Sequence, residues 1–169
     1  MSQSQNTSFS VRVSGDELVF SVAHFITYGG GTCEPLHGHD FHVAVAVAGT
    51  LDEDHCVIDF IELRGCVRTI LDELDHRILL PTQHPLISIE VHTDKKQVNV
   101  AYIDRHWSFP ERDCHLLPLA NTTAELLAEY IGQQLLERFP RISSDEITAM
   151  TVEVRESRGH LATAYLINR

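Results

Sequence analysis

From Leu18 to Ile26, Leu18, Phe20, Val22, His24 and Ile26 alternate with Val19, Ser21, Ala23 and Phe25. This period of two predicts a β-strand with His24 on the face of the bulky apolar groups. After the glycine run Gly29 to Gly31 and the segment Thr32 to Asp40, alternation resumes, with Phe41, Val43, Val45 and Val47 opposite His42, Ala44, Ala46 and Ala48. The two runs predict a hairpin whose long connection is rich in reactive side chains, a kind of loop often used for function.

From Asp59 the period becomes helical. Leu63, Val67, Ile70, Leu71 and Leu74 recur on one face, Asp59 and Glu62 stand as a cap pair, and the helix should end near Asp75. Thr122-Thr123-Ala124-Glu125 carries a capping-box pattern ahead of Leu127, Ile131 and Leu135, and predicts a second helix that stops before Pro140. Between the helices, Ile87 to His92 and Gln97 to Ile103 flank Thr93 to Lys96 and predict a β-hairpin. Strands are expected again at Ile147 to Glu156 and Leu161 to Ile167. The order is strand, strand, helix, hairpin, helix, strand, strand, without an internal repeat.

At 169 residues the chain fits one domain with a real core. Met1 to Ser8 reads as a flexible tail with neither the charge nor the apolar stretch of a targeting segment. No apolar run approaches the roughly 20 residues needed to span a bilayer, so no membrane partner is expected. The net charge is −11 and Lys and Arg are scattered, the wrong footprint for a nucleic-acid partner. The four cysteines form no CxxC pair, which points to free thiols in a reducing compartment and hence to the cytoplasm.

The strongest chemical signal is Cys33-Glu34-Pro35-Leu36-His37-Gly38-His39, preceded by His24 on the earlier strand. In an extended segment, residues two apart point the same way, so His37 and His39 can converge on one ion while Gly38 lets the backbone come close. His24 completes three nitrogens, the donor set of a catalytic zinc with one position open. The alternative for His24 is a hydrogen-bonded core histidine. Cys33 reads either as a small buried hydrophobe or, in a glycine-flanked loop beside a cation, as a thiolate acting as base or nucleophile. Asp75-His76 follows the first helix as a dipole partner or as a proton shuttle in which the aspartate fixes the imidazole tautomer. Glu156 shares strand parity with Met150, Val152 and Val154, and either emerges at the strand end or anchors a ligand.

These residues resemble the 6-pyruvoyl-tetrahydropterin synthase and 6-carboxytetrahydropterin synthase family. The likeness runs from about Phe9 to Ile167 apart from an insertion. It covers S-V-A-H around His24, C-E-P-L-H-G-H-D-F, V-I-D-F before the first helix, L-D-H at Leu74 to His76, T-A-E at Thr123 to Glu125 and V-R-E-S around Glu156. The three-residue gap between Cys33 and His37 is similar to that of the bacterial 6-carboxytetrahydropterin synthases of the queuosine pathway.

The resemblance implies an α+β tunnelling fold, with a four-stranded antiparallel sheet, two helices on one face and an inserted β-hairpin, in a single domain over residues 9–169. Trimers forming a barrel would stack into a homohexamer. Zinc on His24, His37 and His39 would bind and acidify the side-chain hydroxyls of 7,8-dihydroneopterin triphosphate. Cys33 would move a proton at that side chain, Asp75 and His76 would exchange protons on the opposite side, Glu156 would grip the pterin, and Thr123 would line its site. Thr122 and Glu125 are then left to the helix cap.

Two features depart from the pattern. The insertion, roughly Pro81 to Pro118, is absent from the short bacterial enzymes; it supplies none of the family-matched groups, and its Trp107 and Phe109 suggest a role in assembly or in shielding the site. Glu34 directly follows Cys33, and in some relatives a glutamate in this loop replaces the cysteine and redirects the reaction to 6-hydroxymethylpterin. Adjacent residues in an extended loop point to opposite sides, so one of the two should dominate, and the spacing favours Cys33. Other readings are a 6-pyruvoyl-tetrahydropterin synthase, a silent pterin-binding sibling and a cupin-like barrel. Gly31 to His39 fits the first half of the cupin pattern, but its later glutamate is missing and two helices fit it poorly.

Overall fold

The computed structural model describes residues 7–167, so most of the expected tail lies outside the described residues. The alternation read from Leu18 begins earlier, at Phe9. Strand β1 (Phe9–His24) is followed by the short pair β2 (Thr27–Tyr28) and β3 (Thr32–Cys33) and by β4 (His37–Gly49). β1 and β4 pair antiparallel, with a register shift in β1 between Ser14 and Val19. That shift changes parity. Val11 and Val13 face the core before it, and Leu18, Phe20 and Val22 face the same core after it.

Helix α1 (Phe60–Leu74) starts where the Asp59 carboxylate accepts hydrogen bonds from the Ile61 and Glu62 N–H groups, and ends at Asp75. Then come β5 (Arg77–Pro81), β6 (Ile87–His92), β7 (Gln97–Tyr102), β8 (Arg105–Pro110), β9 (Cys114–Leu117), α2 (Ala124–Arg138), β10 (Ile147–Ser157) and β11 (His160–Ile167). The main sheet has the order β11-β10-β4-β1-β5-β9. Its first four strands are antiparallel, as expected, and β5 and β9 extend it in parallel. α1 packs on β1, α2 packs on β10 and β11, and the apolar stripes Leu63, Val67, Ile70, Leu71 and Leu127, Ile131, Leu135 close over the sheet. Among the described residues no helix is long and apolar enough to cross a membrane.

The inserted hairpin is present as β6 and β7 and carries a third strand, β8. β8 was not legible as a strand because its apolar positions are only Trp107 and Phe109. Paired opposite Val100 and Val98, these two turn inward onto a second core of Phe25, Cys33, Leu80, Ile87, Val98, Val100 and Tyr102. Trp107 stacks on Phe25 with ring centroids 4.8 Å apart. Within one copy these aromatics therefore pack against the core that encloses Cys33.

At the far end of β4, a Cβ added to Gly49 would lie 2.2 Å from the Glu146 carbonyl oxygen, which also accepts from the Thr50 N–H at 2.9 Å. Gly49→Ala should cost about 1–3 kcal/mol, as overpacking against backbone does. Denaturant unfolding checks this, and an unchanged midpoint would contradict the assigned contact.

Candidate metal centre

The core face of the sheet runs on into imidazoles. The β1–β4 register sets Phe20 opposite Phe41, Val22 opposite His39 and His24 opposite His37. The three rings gather with centroids 4.8 Å (His24 to His37), 5.4 Å (His24 to His39) and 4.8 Å (His37 to His39) apart. One ligand atom from each, together with a Glu156 carboxylate oxygen, lie within 4.8 Å of one another. Gly38 permits the close pairing, since a Cβ there would stand 3.3 Å from the Val22 carbonyl oxygen.

His24 is 1% exposed. Its Nδ1 lies 3.0 Å from the Thr122 carbonyl oxygen, which can only accept, so in the neutral ring Nδ1 carries the proton and Nε2 a lone pair. Among the described residues that buried Nε2 has no partner. Burial, foremost, and then the neighbouring His37 lower the His24 pKa to about 4 against the opposing Thr122 bond, with His39 adding to the fall. The ring is held neutral at ordinary pH with an unsatisfied acceptor, a state that is costly to leave unpaired and that a cation satisfies. His37 repeats the arrangement: its Nδ1 lies 2.8 Å from the Pro35 carbonyl oxygen, leaving Nε2 for the cluster. The donor chemistry of the site therefore fits zinc.

Thr122 is buried beneath His24 and donates its hydroxyl to the Phe25 carbonyl oxygen at 3.0 Å. The cap of α2 is instead Thr123, whose hydroxyl accepts from the Leu126 N–H. This corrects the expected capping role of Thr122 by one position. Sequence pattern could not show it, because the contact to His24 joins residues far apart in the chain. Thr123 and Glu156 line, with His24, Glu125 and His160, a cavity of about 470 Å³ beside the imidazoles. Glu156 Oε1 is 2.9 Å from His39 Nε2.

Cys33 and Glu34 separate as adjacent extended residues should. The Cys33 side chain turns into the second core, and its Sγ donates to the Glu34 carbonyl oxygen at 3.4 Å. Burial pushes the thiol pKa up, with the Arg105 guanidinium opposing. The Glu34 carboxylate is half-buried, 3.7 Å from His37 Nε2. Arg105, which the sequence did not single out, donates to the Glu34 carbonyl oxygen at 2.9 Å.

Asp75 and His76 form a pair, Oδ2 to Nδ1 3.0 Å, with the His76 side chain 81% exposed. Asp75 also accepts from the Ser21 N–H at 2.7 Å and lies 3.7 Å from Arg68. Their polar partners are thus Ser21 and Arg68, and neither residue lines the cavity beside the imidazoles.

The chain is 35% identical over 143 residues, 84% of its length and 86% of the relative's, to a Methanocaldococcus jannaschii protein provisionally named a 6-carboxy-5,6,7,8-tetrahydropterin synthase. Its fold matches the Plasmodium falciparum 6-pyruvoyl tetrahydropterin synthase with a TM-score of 0.88 and 33% identity, covering 96% of this chain and 99% of that one. A Plasmodium vivax 6-pyruvoyltetrahydropterin synthase, described as a catalytic-residue mutant with glutamate changed to alanine, matches with a TM-score of 0.88, 30% identity and the same two coverages, 96% and 99%. Residues 15–166 also match the family model for 6-pyruvoyl tetrahydropterin synthase. With nearly the whole described fold and its histidine-bearing strands inside that match, the chain belongs to the 6-pyruvoyl tetrahydropterin synthase family.

Proposed function

We propose that this chain is a zinc-dependent lyase acting on 7,8-dihydroneopterin triphosphate, of the 6-carboxytetrahydropterin synthase type that serves queuosine synthesis. The observation that carries the reading is the unpartnered buried Nε2 of His24, aimed into a cluster completed by His37, His39 and Glu156 beside a cavity. Zinc bound by the three imidazoles would supply Lewis acidity that lowers the pKa of a substrate hydroxyl.

The chain's own residues do the rest. Thr122 and Pro35 carbonyls fix the His24 and His37 tautomers. Glu156, on the rim of the cavity, accepts pterin N–H groups in charge-assisted hydrogen bonds, while the Thr123 hydroxyl, which accepts the α2 cap bond, still has its proton to donate. Cys33 moves a proton at the substrate side chain once its loop turns the thiol outward. The Asp75 carboxylate holds His76 Nδ1–H and leaves the other ring nitrogen to exchange a proton. We assign that exchange to a site shared with a second copy in a homohexamer, because within one copy this pair is tied to Ser21 and Arg68.

A second reading rests on the Glu34 carboxylate, 3.7 Å from His37 Nε2 while Cys33 is turned away. Glu34 is then the base for cleavage of dihydroneopterin to 6-hydroxymethylpterin. The Plasmodium vivax relative described by its catalytic glutamate supports this reading.

His39→Ala should lose zinc by metal analysis, and full occupancy would sink the ligand assignment. Glu156→Gln separates a pterin anchor from a fourth ligand. It should keep zinc and weaken pterin binding, because the amide presents donors where the pterin also donates; lost zinc with unchanged pterin affinity would make Glu156 a ligand instead.

Products of wild type, Cys33→Ala and Glu34→Gln, identified by mass spectrometry on both substrates, rank the two bases. Cys33→Ala should lower turnover of the triphosphate about 10²- to 10⁴-fold and spare any cleavage to 6-hydroxymethylpterin. Wild-type turnover of the triphosphate in Cys33→Ala would overturn the thiol's role.

A further inference from the structure

Besides the apolar packing around Cys33, the insertion reaches the reactive loop through a hydrogen bond from Arg105. β7 and β8 are joined by the two-residue turn Ile103–Asp104, with Tyr102 paired to Arg105. Ile103 takes a φ of 53° there, an outlier for a β-branched residue, and strain of this kind persists where the surroundings fix the backbone. The turn delivers Arg105 to the Glu34 peptide. The Glu34 N–H donates to the Ile26 carbonyl oxygen at 3.0 Å, and the Glu34 carbonyl oxygen accepts from Arg105 Nη1 at 2.9 Å and from Cys33 Sγ at 3.4 Å. The two peptide units flanking the Glu34 Cα are therefore held from different sides, the first by Ile26 in the link between β1 and β2 and the second by the insertion.

The consequence concerns the two side chains flanking that pinned segment. With the carbonyl fixed, the Cys33 thiol stays among Phe25, Leu80 and Tyr102, and the Glu34 carboxylate stays near His37. We propose that Arg105 is a positioning residue that selects which group the loop presents to the imidazole cluster, holding Glu34 toward it and Cys33 away. The selection of product rests on the reaction proposed above; the clamp itself does not.

Pulse alkylation of the full-length protein with iodoacetamide, quantified cysteine by cysteine by mass spectrometry, reads the clamp directly. Loss of a charge-assisted hydrogen bond corresponds to at least about tenfold in an opening equilibrium. Arg105→Ala should raise Cys33 labelling by that factor and leave buried Cys66 on α1 at its wild-type rate, and Arg105→Lys, which keeps a cationic donor, should restore most of the protection. Removing the cation also makes the thiol less acidic, so a rise reports exposure and not reactivity. A smaller rise at Cys33, or a matching rise at Cys66, overturns the clamp.

On the two pterin substrates, Arg105→Ala should shift the ratio of Cys33-dependent to Glu34-dependent product toward Cys33. An unchanged ratio, with both rates falling together, would reduce Arg105 to support of the fold and overturn selection. Wild-type protein that turns over neither pterin would contradict the proposed reaction, and the labelling would still decide the clamp.

Discussion

The antiparallel register of β1 against β4 is the constraint on which the rest depends. Because side chains alternate along a strand, a slip of one residue moves every core group to the opposite face. Here the face that buries Phe20, Val22, Phe41 and Val43 under the helices is the face that carries His24, His37 and His39. Packing the core therefore positions the imidazoles as well. The shift between Ser14 and Val19 reconciles two parities in β1, so that both halves of the strand serve the same core and His24 ends on the side of its partners. Thr122 adds a long-range tether, and with Nδ1 occupied the Nε2 of His24 has one direction in which to find a partner.

Much of this was legible in the sequence, for local reasons. The period-two runs around Phe20 and Val45, the helical stripe from Leu63 to Leu74 and the Asp59 cap depend on neighbours within a turn or a strand, and the structure holds them where the pattern expects. His24, His37 and His39 were legible as a set because strand parity alone aligns them. What escaped depends on contacts between distant segments. β5 and β9 are short strands defined by their partners, and β8 has too few apolar positions to show a period. Thr122 looked like a cap residue because Thr123 beside it is one; its actual partner, His24, lies on another element.

The Cys33–Glu34 loop shows the limit of motif spacing most clearly. Spacing in the sequence favours Cys33, whereas the fold buries the thiol in a second core and leaves the neighbouring carboxylate near His37. The difference arises from the insertion. β6, β7 and β8 supply the apolar wall into which Cys33 packs and the guanidinium that fixes the Glu34 carbonyl. A segment with no family-matched catalytic group thereby governs the reactive loop through packing and one hydrogen bond.

The central claim is that the strand register converges three imidazoles on a single ion. The most direct test is a crystal structure of zinc-loaded protein with an anomalous map at the zinc edge. The account predicts one peak per chain, about 2.0–2.1 Å from a ring nitrogen of each of His24, His37 and His39, with His24 bound through Nε2. A peak at other residues, or a zinc-loaded structure in which His24 Nε2 stays unbound, would contradict it.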